Sequence, residues 1–239
     1  MKRRVCVTTS VYALAHQLGM REAVEEVRRQ LDAPSKDSLP VVRTIARIRN
    51  LDVEIELCVD GGATYIGMAR SRHFHEAGKR ELPWISLDDD VEVTTDCAAA
   101  LLDVITEPDP TPRIVIVPYM TRDRENPQLT ITVPIVRVER EWKGARLLAL
   151  PKGQGGGFGM VGMNRQAMLE IVAYADESMV WFDYGEKKLA LFYERLEDGL
   201  WFGEDISFFR YRVPPSITVE ALLVGTSLHA GVPLTLSSL

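Results

Sequence analysis

Apolar residues recur along the chain with two periods, and the switches between them mark its elements. Val5 and Val7 sit among polar and small neighbours and predict a first strand over Arg4 to Thr9. From Tyr12 to Leu31 the apolar set Leu14, Leu18, Ala23, Val24, Val27 and Leu31 comes close to helical spacing and predicts one long helix. Ser38-Leu39-Pro40 has the form of a helix start, with the helix running toward Ile48. Val53, Ile55, Leu57 and Val59 then alternate with Asp52, Glu54, Glu56 and Cys58, the period of a half-buried strand, which ends at the loop signal Asp60-Gly61-Gly62.

Ile66 to Ala77 predicts a helix closed by Gly78, and Trp84 to Leu87 a short apolar strand running straight into Asp88-Asp89-Asp90. Thr95 or Asp96 caps a helix through Ile105. Three prolines between Pro108 and Pro112 exclude helix and sheet interior. Ile114 to Val117 is a strand, Leu129 to Val138 alternates again, and Leu147 to Leu150 is a strand before the run Gly153-Gln154-Gly155-Gly156-Gly157. Asn164 caps a helix through Ala173, and a last strand lies near Leu222 to Val224. Strands and helices alternate in the first half, and strands dominate the second. That order predicts one α/β domain over residues 1–239 with a mixed, mostly parallel sheet flanked by helices. A ligand would sit at the carboxyl ends of the strands.

Composition narrows the partners. The formal net charge is -6 and the pI about 5.4, which disfavours a nucleic-acid phosphate face. A small anionic ligand stays open, because a local site can oppose the global charge. Cys6, Cys58 and Cys97 form no CxxC pair and sit among apolar neighbours, so they read as buried thiols of a reducing, cytoplasmic compartment. The basic start Met1-Lys2-Arg3-Arg4 is not followed by a signal-peptide core. No apolar run approaches the ~20 residues that span a bilayer. Self-association of the chain stays open.

The loudest chemistry is Asp88-Asp89-Asp90. In extended chain Asp88 and Asp90 point together and Asp89 points away. Two carboxylates on one side of a strand end repel, and a hard divalent cation such as Mn²⁺ or Mg²⁺ relieves that through oxygen ligands. A solvated acidic turn is the plain alternative. The glycine run lacks GxGxxG spacing and reads as a flexible lid or acceptor loop. His73 and His75, two apart on a helix, do not share a face and read as structural.

Five segments in order carry a family resemblance: Met68-Ala69-Arg70-Ser71, the aspartate triplet, Gly155-Gly156-Gly157-Phe158-Gly159-Met160-Val161, Trp201 to Phe208 around Gly203-Glu204-Asp205, and Leu228-His229-Ala230-Gly231. Together they span roughly residues 4 to 231 and resemble the nucleotide-sugar glycosyltransferases of the GT-A fold, whose DxD motif follows an apolar strand. Two positions depart from that pattern: Ser71 stands for an asparagine, and Phe209 for a cysteine or polar residue. The resemblance implies a nucleotide-sugar-binding half over 1–93 and an acceptor-binding half over 94–239. The donor would be a UDP- or GDP-sugar, and the acceptor hydroxyl is unspecified.

By that resemblance Asp88, Asp90 and His229 hold Mn²⁺ or Mg²⁺, and the imidazole tilts the choice toward Mn²⁺. Arg70 forks onto phosphate or a base edge, with Asp60 and Asp89 also on the donor. Asp205 is the preferred base for the acceptor proton, with Glu204 orienting. A helix N-terminus would attract the same two acids. Trp201, Phe202, Gly156 and Gly157 line the acceptor side. Two other classes compete. Nucleotidyl transfer would want a basic, glycine-rich loop after the first strand, where Thr8-Thr9-Ser10 stands. A sugar-nucleotide-binding protein that lost its chemistry would account for Ser71 and Phe209.

Overall fold

The computed structural model describes residues 2–60, 65–121, 123, 125–131, 139–175, 180–183, 185–236 and 239. Strand β1 (Arg3–Ser10) is followed by helices α1 (Tyr12–Leu18), α2 (Met20–Asp32) and α3 (Pro40–Arg49). The single helix expected from Tyr12 to Leu31 is broken at Gly19, whose φ of +95° no helix accepts. Then come β2 (Val53–Asp60), α4 (Ile66–Arg80), β3 (Trp84–Asp88), β4 (Val91–Val93) and α5 (Thr95–Ile105). Helix α4 runs through Gly78, where closure was expected, and ends at Glu81 in the left-handed region.

The second half adds β5 (Arg113–Ile116), β6 (Glu139–Trp142), β7 (Ala145–Ala149), β8 (Met160–Met163), α6 (Arg165–Tyr174), β9 (Val180–Asp183) and β10 (Glu186–Leu189). It closes with β11 (Arg195–Glu197), β12 (Leu200–Phe202), α7 (Glu204–Tyr211), β13 (Thr218–Leu222), β14 (Thr226–His229) and β15 (Val232–Thr235). Leu129 and Ile131 make only isolated bridges, and residues 132–138 of the expected strand lie outside the described residues, as do Gly61 and Gly62.

Eight strands form one mixed sheet in the order β2-β1-β3-β8-β5-β13-β7-β6. The expectation of a mostly parallel sheet is corrected here. The pairings β1–β2, β1–β3 and β5–β13 are parallel, whereas β3–β8, β5–β8, β7–β13 and β6–β7 are antiparallel. Strands β8 and β7 are the cause: β8 enters between β3 and β5, and β7 between β13 and β6, each against the direction of both neighbours. Each face of the sheet has its own core. Helices α2, α3 and α5 cover one face, packing Val27, Ile45, Leu101 and Leu102 on Val5, Val7, Ile85 and Leu87. Helices α4, α6 and α7 cover the other with Phe74, Met168, Ile171, Phe208 and Phe209 against Cys6, Trp84 and Ile114. Cys6 and Cys97 are buried and Cys58 half-buried, all as free thiols, and burial pushes the Cys6 thiol up to about 12. Among the described residues no helix is long and apolar enough to cross a membrane.

Candidate active site

The chain leaves β1 toward β2 on one side and returns to β3 on the other, so β1 is flanked by a change of winding direction. In such sheets ligands bind outside the carboxyl ends of the strands at that point. The register there is explicit: Ser10 lies opposite Asp60 on one side and Asp88 on the other. Neighbouring residues in parallel strands share a face, so Asp60, Ser10 and Asp88 form a row facing α4. Helix α4 answers with Arg70 and His73, three apart and therefore on one helical face.

Arg70 is buried at 5% exposure. Its Nη2 donates to both carboxylate oxygens of Asp88 at 3.0 Å, and its Nη1 donates to Glu204 Oε1 at 2.5 Å. The guanidinium stands 5.2 Å from the Phe158 ring centre. Burial alone would lower its pKa, but Asp88 and Glu204 outweigh burial and raise it. The cation is permanent, and it ties a strand-end acid to the first residue of α7. Phe158 belongs to an aromatic cluster with Trp84, Phe192, Phe208 and Phe209, which is the packed floor beneath the ion cluster.

Strand β3 stops at Asp88, and Asp89 and Asp90 form the turn into β4. The alternation rule for extended chain therefore lapses after Asp88, and the two acids expected to point together engage different bases. Asp88 meets Arg70. Asp90 Oδ2 lies 3.2 Å from His229 Nε2. Asp89 contributes its carbonyl to Val41 N–H, 3.4 Å away.

His229 sits on β14, which pairs with β4 and so returns the ring to the triplet. Its Nδ1 lies 2.8 Å from the Met120 carbonyl, which only accepts, so Nδ1 carries a proton. In the neutral ring, Nε2 then turns a lone pair toward the Asp90 carboxylate. A positive species between them relieves that opposition. Two adjacent ligands on an octahedral cation with bonds of ~2.1 Å stand about 3 Å apart, close to the spacing seen. A backbone carbonyl on the far nitrogen is also the usual support of a metal-bound histidine. Asp90 and His229 therefore fit a divalent cation as a two-residue seat. Among the described residues no group of three His, Cys, Asp or Glu side chains converges as a ready-made centre. Ligand oxygens and water would complete the shell.

Arg70, Asp88, Glu204, Asp205 and His229 line one cavity of about 820 Å³. Asp205 accepts from Ile206 N–H at 2.7 Å. Gly156 and Gly157 line the cavity too. The glycine run is a packed wall and corrects the expectation of a lid. A Cβ on Gly155 would strike the Phe209 ring, one on Gly157 the Tyr119 hydroxyl, and one on Gly156 would come 2.6 Å from Ile131. Phe209, a departure from the family pattern, is thus matched by Gly155. Ser71, the other departure, donates to the Gly67 carbonyl at 2.8 Å and accepts from Phe192 N–H.

Asp60, Asp89, Asp90, Trp201 and Phe202 do not line this cavity, and Asp90 meets it only through His229. Trp201 is 66% exposed on the β11–β12 hairpin, and Phe202 stacks under Arg210. Tyr119, Thr130 and Arg210 line the cavity and escaped the sequence reading. An aromatic residue just past the carboxyl end of β5 was the available signal for Tyr119. Burial, and then Asp88, raise its hydroxyl pKa, so it stays a neutral phenol.

No family model matches the chain, and no curated protein matches it by sequence. Among solved structures it is similar to the crystal structure of A197 from STIV, with a TM-score of 0.50 and 13% identity over 95% of this chain and 85% of that one. A likeness at that identity concerns the fold alone.

Proposed function

We propose that this protein is a glycosyltransferase of the GT-A type that moves a sugar from a nucleoside diphosphate sugar to an acceptor hydroxyl. One observation carries the reading. Four of the five motif segments, scattered from residue 68 to residue 231, bring Arg70, Asp88, Asp90, Glu204, Asp205 and His229 together beyond the strand ends. Nucleotidyl transfer would need the same cation but gains no basic loop after β1, since Val11 leads directly into α1.

Asp90 and His229 would hold the divalent cation, which when bound neutralises a diphosphate leaving group. Arg70 cannot serve as a freely mobile phosphate clamp, because Asp88 and Glu204 already fix it. It positions those two acids against each other. Glu204 is committed to its hydrogen bond from Arg70. Asp205 faces the cavity and makes no ion pair among the described residues, which suits the base that takes the acceptor proton. The glycine wall lets the acceptor approach the backbone closely, and Tyr119 closes the side next to His229, with ring centres 4.5 Å apart.

Calorimetry with UDP and GDP, with and without Mn²⁺, tests the reading. Binding should require Mn²⁺ and vanish in Asp90→Ala. Nucleotide binding that ignores the cation would remove the role given to Asp90 and His229.

A further inference from the structure

The active-site cavity does not end at the glycine wall. A second cavity of about 410 Å³ adjoins it, and Gly153 and Arg210 line both. The later glycines of the run press on Phe209, Ile131 and Tyr119, but a Cβ on Gly153 would meet only the Arg210 backbone, 4.0 Å away. The absence of a side chain there leaves the passage between the cavities open. Helix α7 sets the distance across it. Asp205 and Arg210 both line the main cavity, and five residues of helix separate them by about 7.5 Å along the axis. A molecule with one hydroxyl at Asp205 that reaches past Arg210 enters the second cavity.

The lining limits what that end of the molecule is. Lys152 and Arg210 are its cations, and no carboxylate is found among the described residues that line it. In a chain of net charge -6 such a lining opposes the global field and attracts an anion. Arg210 Nη2 lies 3.6 Å from Glu197, but Glu197 is shared with Arg195 at 3.8 Å, so these three residues carry one net positive charge. The Arg210 guanidinium rests 4.8 Å from the Phe202 ring centre, which holds it in place. Lys152 is exposed and makes no ion pair among the described residues. Just outside the lining, Glu170 already accepts from Ser216 at 2.5 Å and from Gln166 at 3.3 Å. Pro151, Pro214 and Pro215 stiffen the wall and bring no N–H, so recognition falls mainly to the two cations. Their excess of two charges matches a phosphate monoester, which carries about −1.5 to −2 at pH 7.

We infer that the second cavity seats a phosphate ester carried by the acceptor, set apart from its reacting hydroxyl and bound by Lys152 and Arg210. The inference rests on the glycosyltransferase reading and gives the acceptor a chemical class.

Backbone-amide NMR shifts of the full chain test it, in titrations with inorganic phosphate, glucose 6-phosphate and glucose at constant ionic strength. Both phosphates should move Lys152, Gly153 and Arg210 saturably, and glucose should bind at least ~10-fold more weakly than glucose 6-phosphate. Lys152→Ala and Arg210→Gln should each weaken glucose 6-phosphate about 10-fold. Lys187→Ala, on exposed β10, should leave it unchanged. Lys152 lies on an exposed turn, so its variant does not put folding at stake. Flotation with phosphatidylcholine vesicles, with and without phosphatidate, separates the sources of the ester. Flotation on phosphatidate that Lys152→Ala loses marks a lipid phosphate, and no flotation marks a soluble one. Three outcomes overturn the inference: no shift in the cavity, shifts with inorganic phosphate alone (an adventitious ion only), or equal affinity in Lys152→Ala and the native chain. In each case Mn²⁺-dependent UDP binding that vanishes in Asp90→Ala leaves the glycosyltransferase reading standing. If glucose 6-phosphate binds in the cavity and UDP never binds, the transfer reading falls and takes the acceptor role with it.

Discussion

Two histidine–aspartate pairs flank the strand ends, and their rings are held in different ways. His229 faces Asp90 at 3.2 Å, with its other nitrogen committed as a donor to the Met120 carbonyl. His73 faces Asp60 at 4.0 Å, with burial keeping the ring neutral. In the first pair the remote nitrogen is committed to a carbonyl, so the nitrogen beside the acid meets Asp90 either with a second proton or through a cation. In the second the acid favours a proton on that nitrogen, so the pair offers a donor next to an acceptor. The same two residue types thus meet in two different settings, one half open to the cavity and one buried.

That contrast can be broken in four ways, from the largest effect downward. Asp205→Asn belongs to neither pair, and it should cut transfer ~10²–10⁴-fold while leaving UDP affinity intact. Turnover near the native rate would remove Asp205 as base and reopen the division of labour. Asp90→Ala should abolish the Mn²⁺-dependent binding of UDP, whereas Asp60→Asn should leave the Mn²⁺ requirement intact. Identical behaviour of the two variants would mean the pairs do not differ. Manganese binding followed by electron paramagnetic resonance should fall ~10–100-fold in His229→Gln and stay unchanged in His73→Gln.

The smallest effect is on stability. His73 has its ordinary pKa near 6.5 when unfolded and about 4 when folded. Between those values the unfolded chain binds the extra proton, so stability rises with pH. The contribution is complete above pH 6.5 and is lost progressively as pH falls toward 4. Urea melts across that range should show a steeper pH slope for the native chain than for His73→Gln. Parallel slopes would contradict the buried neutral imidazole.

Much of the framework was legible because short-range rules set it. Val53 to Val59 alternates and is a strand, Asn164 caps α6 by accepting from Ala167 N–H, and an apolar strand does run into Asp88. What escaped depends on contacts distant in sequence. Nothing near Asp88 reveals that Arg70 and Glu204 will hold it, nor does anything near His73 reveal Asp60. The parity argument for Asp88 and Asp90 failed because the strand ends at Asp88, two residues short of Asp90. The glycine run looked mobile because its partners, Phe209, Ile131 and Tyr119, come from three separate segments. Trp201 looked like an acceptor platform because it adjoins Glu204 in sequence, yet the hairpin carries it into solvent.

The antiparallel entry of β8 also governs how the chain can be made. Leu87, one residue before the acids, pairs with Met160, and Ile116 pairs with Val161. A nascent chain that stops before residue 160 therefore has β3 and β5 with no strand between them, each presenting an apolar edge of the kind that pairs with other chains. Long-range pairing of this sort is slow to form. The sheet that carries Asp88 is sealed only after two-thirds of the chain has left the ribosome, so residues 1–93 made alone should aggregate instead of folding as a nucleotide-binding half.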